Sequence, residues 1–245
     1  MKPIISKGIS IVLPCLNEAK SLPRVLKAAL AILAKSDLPG EVLVADNGST
    51  DGSQEIAKKF GARVVPIQLR GYGAAVDGGI RSARYEYVIF CDSECTYPMA
   101  RILALIATLR AGRAEFVLGS RLKGNIKKGA MPFLNRYLGT PLLSLLIRLF
   151  YRIPVSDCNS GMRALKKSVY EKLGLKCPGM EYASEMLIRV GQLRLKYAEV
   201  PIDYCKGLGA RKPHLRRWPD GLRHLQLIFL KRFTNDSAPS RRKAA

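Results

Sequence analysis

Residues 9–33 read ISIVLPCLNEAKSLPRVLKAALAIL, and this stretch sets the fold class. The run 9–13 is short, largely apolar and closed by Pro14, which are the length and composition of a buried strand. After Ser21, which offers an N-cap, apolar residues recur at helical spacing as far as Leu33. A buried strand followed directly by an amphipathic helix predicts an α/β chain.

The same alternation continues through the first half of the chain. Further strands are predicted at 41–45, 63–67, 87–91 and 116–119, and further helices at 53–60, from the turn 70–73 to residue 84, and at 100–110. Strands that alternate with helices form βαβ units, so we expect a mostly parallel sheet flanked by helices.

The charge of the chain is strongly positive. Among 245 residues there are 41 Lys and Arg against 19 Asp and Glu, a formal net charge of +22, while 48% of residues are hydrophobic. Such an excess attracts anions, which include nucleic acid, acidic lipid head groups and phosphorylated substrates. The cations are dispersed and no nucleic-acid motif with stacking aromatics is present, so nucleic acid is not the expected partner. A non-enzymatic anion-binding protein remains a remote alternative.

The cysteines and the N-terminus bear on the compartment. The six cysteines form no Cys-x-x-Cys pair and no regular framework, so we expect free thiols in a reducing compartment and no zinc site. The first residues lack the apolar run of a signal peptide, and no apolar run reaches the length of about 20 residues that spans a bilayer. We therefore expect a protein of the cytoplasm or of the cytoplasmic membrane face.

Polar side chains follow the predicted strands at their carboxyl ends, where ligands bind in open α/β sheets. They are Asn17 and Glu18, Asp46, Asp92 and Glu94, and Ser120 and Arg121. Carboxylates together with phosphate oxygens suit Mg²⁺ or Mn²⁺, which points to Asp92 and Glu94 as metal ligands. Taken alone, the two residues also fit helix caps, and the loop that begins at Asp46 also fits a capped turn.

The segment 134–150, LNRYLGTPLLSLLIRLF, allows two interpretations. It is strongly apolar, but Arg136, Pro141 and Arg148 interrupt it. One interpretation is a core or dimer helix. The other is a pair of short amphipathic helices that lie in the membrane interface, with the arginines reaching lipid phosphates.

An ordered set of motifs identifies the chain more narrowly. They are VLPCLNE (12–18), ADNGSTD (45–51), GYGAA (71–75), DSE (92–94), GSR (119–121), SDCNSGMRA (156–164), GMEYASEM (179–186) and EVPI (199–202). The set covers roughly residues 9–230. It resembles the family 2 glycosyltransferases of GT-A fold and, within them, the dolichol- or polyprenyl-phosphate hexose transferases.

The resemblance implies a role for each matching residue. The nucleotide-sugar donor would be bound by Pro14, Asn17, Glu18, Asp46, Gly73, Asp92 and Arg121, together with Arg211 and Lys212 in a loop that closes on the diphosphate. The acceptor would be bound by Arg121, Ser160 and Arg163. The catalytic group would comprise Asp92, Glu94, Asp157, Arg163 and Glu185, with Asp92 and Glu94 also holding Mg²⁺ or Mn²⁺. Arg163 also fits a structural ion pair, and the 211–217 segment also fits a solvated basic surface.

One departure from the family pattern concerns the metal motif. Glu94 stands where the usual D-x-D motif has its second Asp, so its side chain is one methylene longer. We expect metal binding to survive this change but to be shifted or weakened.

The implied activity is the inverting transfer of a hexose from a donor such as GDP-mannose or UDP-glucose to polyprenyl or dolichyl phosphate. A lipid phosphate is already anionic at neutral pH, whereas a hydroxyl acceptor needs a general base. The cation-rich chain suits the phosphate. A family 2 enzyme that uses a glycan or another hydroxyl acceptor is the alternative.

The expected organisation is one GT-A catalytic domain over residues 1–232. Its nucleotide-binding half covers about 9–120, its acceptor- and membrane-facing half about 121–232, and a basic flexible tail covers 233–245. Without a transmembrane hairpin, the protein would bind the membrane peripherally or through a separate anchoring protein. A homo-oligomer is compatible with the sequence.

Overall fold

The structure is a computed structural model that describes residues 6–208 and 217–233. The strands of the described chain are β1 (Ser6–Cys15), β2 (Gly40–Asp46), β3 (Arg63–Pro66), β4 (Tyr85–Phe90), β5 (Phe116–Ser120), β6 (Arg163–Lys166) and β7 (Tyr197–Pro201). They form one sheet in the order β3-β2-β1-β4-β6-β5-β7. The predicted strands 1 to 5 are confirmed, with ends that differ by at most a few residues.

The helices are α1 (Leu22–Ala34), α2 (Ser53–Lys59), α3 (Tyr72–Ser82), α4 (Ile102–Arg110), α5 (Thr140–Tyr151), α6 (Lys167–Leu173), α7 (Tyr182–Gln192) and α8 (Arg217–Phe233). Helices α1 to α4 alternate with the strands as predicted, whereas α6 and α7 follow each other without a strand between them. A 3-10 turn at Met99–Arg101 leads into α4, and a π-helical turn at Asn135–Gly139 leads into α5.

The sheet is mostly parallel. β1 pairs in parallel with β2 on one side and with β4 on the other, β2 pairs in parallel with β3, and β5 pairs in parallel with β7. β6 is the exception, because it lies antiparallel between β4 and β5. The mixed α/β architecture with a mostly parallel sheet confirms the predicted fold class.

Side chains of β1 point alternately into two cores. Ile9, Ile11 and Leu13 pack with α1, α2 and α4 on one face of the sheet. Val12 packs on the other face with α3, α5, α6, α7 and α8. This alternation is the period of two that a strand imposes, and it accounts for a strand that is apolar on both sides.

One detail of the sequence prediction is wrong, and another concerns residues that the structure does not describe. Ser21 occupies the cap position of α1, but its hydroxyl donates to Glu18 Oε2 at 2.8 Å instead of accepting from a helix N–H. The prediction that its side chain caps the helix was therefore wrong. The predicted basic tail lies outside the described residues apart from Phe233, the last residue of α8.

The structure also bears on the thiols and on membrane spans. All six cysteines are free. Within residues 6–208 and 217–233, no helix has both the length and the apolar character that crossing a membrane requires.

Close packing of α3 on the sheet depends on Gly79. A Cβ there would lie 3.0 Å from the Cβ of Ala45 and closer still to Val12. We predict that Gly79→Ala lowers the free energy of unfolding by about 1–3 kcal/mol, because the helix must move away from the sheet. Gly221→Ala in α8 is the control, since its Cβ would meet nothing within 4 Å. Urea unfolding measures both, and equal stability of the two variants would contradict this packing.

Candidate active site

Three loops that follow β1, β2 and β4 lie side by side at one edge of the sheet. Because β1 is bonded to both β2 and β4, the carboxyl ends of all three strands are neighbours. Asn47 N donates to Cys15 O at 2.8 Å, and Ser93 Oγ donates to Pro14 O at 2.6 Å. The carbonyl of Pro14 therefore joins the first loop to the loop that carries Asp92.

The first loop is fastened to the second through Asn17 and Glu18. Asn17 adopts a left-handed backbone conformation with φ 57°, and its Oδ1 accepts from Thr50 N at 2.7 Å. The backbone N–H of Glu18 donates to Ser53 Oγ at 2.9 Å. These bonds fix the geometry of the loop, and contact of Asn17 and Glu18 with a nucleotide stays a prediction.

Asp46 shapes the loop in which it lies. Its buried carboxylate accepts hydrogen bonds from Gly48 N at 3.0 Å, Ser49 N at 3.1 Å and Gln54 Nε2 at 2.7 Å. The loop that begins at Asp46 is therefore a turn capped by the Asp46 side chain. A carboxylate can accept further hydrogen bonds, so a role in binding a base or ribose remains compatible with these contacts.

Asp92 follows β4 and is enclosed by two neighbours. Tyr72 donates to its Oδ1 at 3.1 Å, and a Cβ on Gly161 would lie 2.6 Å from its Cγ. Burial raises the pKa of Asp92, and the Tyr72 hydrogen bond and the charges of Arg121 and Arg163 oppose that rise. A half-buried carboxylate that is partly desolvated in this way gains from a bound cation, because the cation offsets the cost of desolvation.

Glu94 lies two residues beyond Asp92 in the same loop. Its backbone carbonyl accepts from Leu208 N at 3.3 Å. The pKa of Tyr204 is raised mainly by burial, then by the charge of Asp92, and then by the charge of Glu94. Among residues 6–208 and 217–233, no group of three or more His, Cys, Asp or Glu side chains is arranged to hold a metal ion. Two carboxylates are nevertheless enough protein ligands for Mg²⁺ or Mn²⁺, because water and substrate phosphates complete the coordination shell of these ions.

Arg121 and Asp157 form a buried ion pair. Arg121 Nη2 lies 2.7 Å from Asp157 Oδ1 and Nε lies 2.8 Å from Oδ2, while the backbone N–H of Arg121 also reaches Oδ2 at 2.9 Å. Burial acts to lower the pKa of Arg121, but Asp157 raises it, and the result is well above its usual value. Both oxygens of Asp157 are thus engaged in orienting Arg121, which also lies over the ring of Tyr204 at 5.0 Å.

Arg163 and Ser160 are bound to backbone carbonyls. Arg163 is only 1% exposed and donates to Ser160 O at 3.0 Å, Cys158 O at 2.8 Å and Ala183 O at 2.7 Å. The hydroxyl of Ser160 donates to Gly119 O. These bonds hold the segment around residues 157–164 against α7, so the structure gives both residues a structural role beside the predicted one.

Glu185 and Gly73 meet at the segment that precedes α7. Glu185 Oε2 accepts from Lys176 N at 2.9 Å and Cys177 N at 2.8 Å. Gly73 N donates to Gly179 O at 3.2 Å, and a Cβ on Gly73 would lie 2.6 Å from that of Tyr182. Gly73 therefore allows close packing, and Glu185 holds the same segment in place.

The structure brings most of the predicted residues to one side of the sheet, with two exceptions. Arg211 and Lys212 lie outside the described residues, so their place in the site stays a prediction. Tyr72 and Gly161 were not predicted as site residues, although both belong to the recognised motifs. Their importance follows from contacts with Asp92, which sequence spacing does not reveal.

Solved structures define the class of fold. Glucosyl-3-phosphoglycerate synthase from Mycobacterium tuberculosis, crystallised with Mn²⁺, UDP and glucosyl-3-phosphoglycerate, matches with a TM-score of 0.71 and 24% identity, over 92% of this chain and 80% of that chain. The chain therefore has the GT-A glycosyltransferase fold. The profile of Glycosyl transferase family 2 matches residues 10–174. The chain belongs to this family, and it is a glycosyltransferase.

Curated relatives come from archaea and mycobacteria. The low-salt glycan biosynthesis hexosyltransferase Agl6 of Haloferax volcanii is 36% identical over 92% of this chain, which spans 54% of that protein, about half its length. The dolichyl-phosphate hexose transferase of the same organism is 32% identical over 83% of this chain and 86% of its own length. The uncharacterized glycosyltransferase Rv0539 of Mycobacterium tuberculosis is 32% identical over 83% and 88%.

Gly161 tests the importance of the Asp92 position. We predict that Gly161→Ala lowers kcat/KM for sugar transfer at least about tenfold, since a methyl group must displace the Asp92 carboxylate. Gly139→Ala is the control, because its Cβ would lie no closer than 3.6 Å to Leu134 O. Activity and thermal unfolding are measured together. A folded Gly161→Ala protein with full activity would show that Asp92 need not stay where the structure places it.

Proposed function

We propose that the protein is an inverting, metal-dependent hexosyltransferase. It takes a hexose from a nucleoside-diphosphate sugar, of the GDP-mannose or UDP-glucose type, and transfers it to polyprenyl or dolichyl phosphate. The relatives that support this include the dolichyl-phosphate hexose transferase for the acceptor. The solved neighbours include a complex with Mn²⁺ and UDP-glucose, although their likeness extends to the fold alone.

At the donor end, Asp92 and Glu94 would hold Mg²⁺ or Mn²⁺, and Asp46 would receive the base or ribose. A divalent cation there would neutralise charge that develops on the departing diphosphate. Arg121 is already oriented by Asp157, so its guanidinium is held at the site without reorganisation. Arg211 and Lys212 would add further positive charge.

At the acceptor end, the observation that carries the proposal is an exposed apolar surface. We call it the α5 face, and it consists of Phe133, Leu134, Tyr137, Leu138, Leu142, Leu145 and Leu149. The opposite side of α5 buries Leu143 and Ile147 in the core. One side of the helix therefore supports the core interpretation, while the other leaves an apolar patch of the kind that marks an interface.

Basic residues border the α5 face. Arg148 is exposed on α5, and Lys127 and Lys128 are exposed shortly before it. An apolar strip with cations beside it suits a membrane interface, where acyl chains meet anionic head groups. Peripheral binding at the cytoplasmic membrane face would bring the enzyme to a lipid-linked acceptor. A separate anchoring protein, or a second copy of this chain, would compete for the same surface.

The α5 face continues onto α8. Phe150 of α5 and Phe229 of α8 meet edge to face, with ring centroids 5.4 Å apart. Beside them α8 exposes the apolar side chains of Leu222, Phe229, Leu230 and Phe233. The two helices together present a broader apolar surface than either does alone.

The alternative is a hydroxyl acceptor such as a glycan. It requires a general base, for which Asp157 and Glu185 were the candidates. In the structure Asp157 is paired with Arg121, and Glu185 accepts two backbone hydrogen bonds. Because both carboxylates are engaged in these contacts, neither is placed to accept a proton from a hydroxyl, which favours the anionic phosphate acceptor.

A donor panel tests the proposed activity. GDP-mannose, UDP-glucose and related donors are incubated with and without polyprenyl phosphate, and nucleotide release and lipid-linked sugar are followed together. We expect one donor to give lipid-linked sugar that depends on Mg²⁺ or Mn²⁺. In Glu94→Ala the rate falls about 100-fold, because the leaving diphosphate loses its counter-charge. Undiminished activity of this variant would remove the metal from the mechanism, and transfer to a glycan alone would favour the alternative.

Vesicle binding tests the α5 face. We predict that Leu149→Glu weakens binding to vesicles that contain phosphatidylglycerol, because a charge replaces an apolar contact in the interface. Leu69→Glu is the matched control, since Leu69 is 66% exposed and Leu149 is 63% exposed. Cosedimentation with vesicles measures both. Equal binding of the two variants would mean that α5 does not contact the lipid.

A further inference from the structure

Among the side chains that the structure describes, two buried polar atoms on α7 and α8 have no hydrogen-bond partner. They are Oε2 of Glu181, the residue at the N-terminus of α7, and Nε2 of His224 on α8. His224 is only 2% exposed, and its other ring nitrogen, Nδ1, lies 2.7 Å from Ser184 Oγ. A buried polar group without a partner is costly, so a native protein keeps one where a ligand or a water completes it.

The charge of Glu181 acts on the ionisation of His224. Burial lowers the pKa of His224 to about 4, and the Glu181 carboxylate is the largest charge that opposes this, followed by Asp220. His224 is therefore neutral at physiological pH. Each of its ring nitrogens then either donates or accepts, depending on the tautomer.

The chemistry of the pair selects a hydroxyl group. Glu181 Oε2 accepts a hydrogen bond, while His224 Nε2 does either. A hydroxyl both donates and accepts, so it complements this pair in either tautomer. A phosphate is disfavoured, because a neutral imidazole lies here with the carboxylates of Glu181 and Asp220.

The place of this pair is beside the candidate active site. Glu181 follows a segment in which Gly179 O accepts from Gly73 N at 3.2 Å and Pro178 O accepts from Ala74 N at 3.1 Å, both in the first turn of α3. A Cβ on Gly179 would lie 2.5 Å from Glu181 Oε2, so the glycine leaves room for the carboxylate. Arg163 donates to Ala183 O at 2.7 Å, and the next residue, Ser184, contacts His224.

We propose that Glu181 and His224 form a subsite that binds hydroxyl groups of the donor hexose. This inference rests on the proposed function, in which the acceptor is a lipid phosphate and the only hexose is that of the donor. The metal and the basic side chains would bind the diphosphate, and the Glu181–His224 subsite would bind the hydroxyl groups of the sugar. Ser184 is a positioning residue, because it fixes the imidazole through Nδ1.

The test compares binding of a nucleotide sugar with binding of the bare nucleoside diphosphate, both with Mn²⁺ and without acceptor. The donor is the one that the wild-type protein uses in transfer. In Glu181→Gln and, separately, His224→Gln, we expect the Kd of the nucleotide sugar to rise about tenfold, since the first change removes the charge of the acceptor and the second moves the hydrogen-bonding atom away from the position of Nε2. The Kd of the bare diphosphate stays unchanged. Titration calorimetry gives both values, and thermal unfolding confirms that each variant is folded.

Glu86→Gln is the matched control. It makes the same chemical change near the start of β4, at the opposite end of that strand from Asp92, and should alter neither Kd. Unchanged sugar-nucleotide binding in the folded Glu181→Gln and His224→Gln variants would overturn the subsite, as would a crystal structure of the donor complex with only a water between the two atoms. If wild-type protein transfers hexose from no donor, the proposed function itself has failed, whatever the variants show.

Discussion

The parallel pairing of β1 with both β2 and β4 is the constraint on which the site depends. The register from Ile9 to Cys15 against β2 and from Ile9 to Val12 against β4 brings three strand ends to one edge of the sheet. Each loop that follows is then bound to its neighbour, through Pro14 and Ser93 on one side and Asn17 and Thr50 on the other. Polar residues far apart in sequence thus lie along one edge.

Glycine at four positions lets this edge close. Gly161 leaves room for Asp92, Gly79 lets α3 approach the sheet, and Gly73 and Gly179 bring the glycine turn and α7 together. Because a Cβ at each of these positions would come within 3 Å of packed backbone or side-chain atoms, even a methyl group displaces a neighbouring element. The site is therefore held by packing as much as by hydrogen bonds.

The sequence allowed strands β1 to β5 and the residues at their ends to be predicted, because apolar runs and turn residues are local signals. β6 and β7 were missed, since strands of four and five residues carry little periodicity. The hydrogen-bond partners of Arg163, Asp157 and Glu185 could not be predicted from the sequence either. Each depends on backbone atoms or a side chain that only the folded chain brings near. Family resemblance supplied their candidate roles, and the structure supplied their partners.

The central claim is that the strand ends converge on one donor. A crystal structure of the protein with Mn²⁺ and the nucleoside diphosphate of its donor tests it most directly. The account predicts the ion between Asp92 and Glu94, with the diphosphate bound to it and the nucleoside beside Asp46. A nucleotide bound away from this edge, or an ion that neither carboxylate touches, would contradict it.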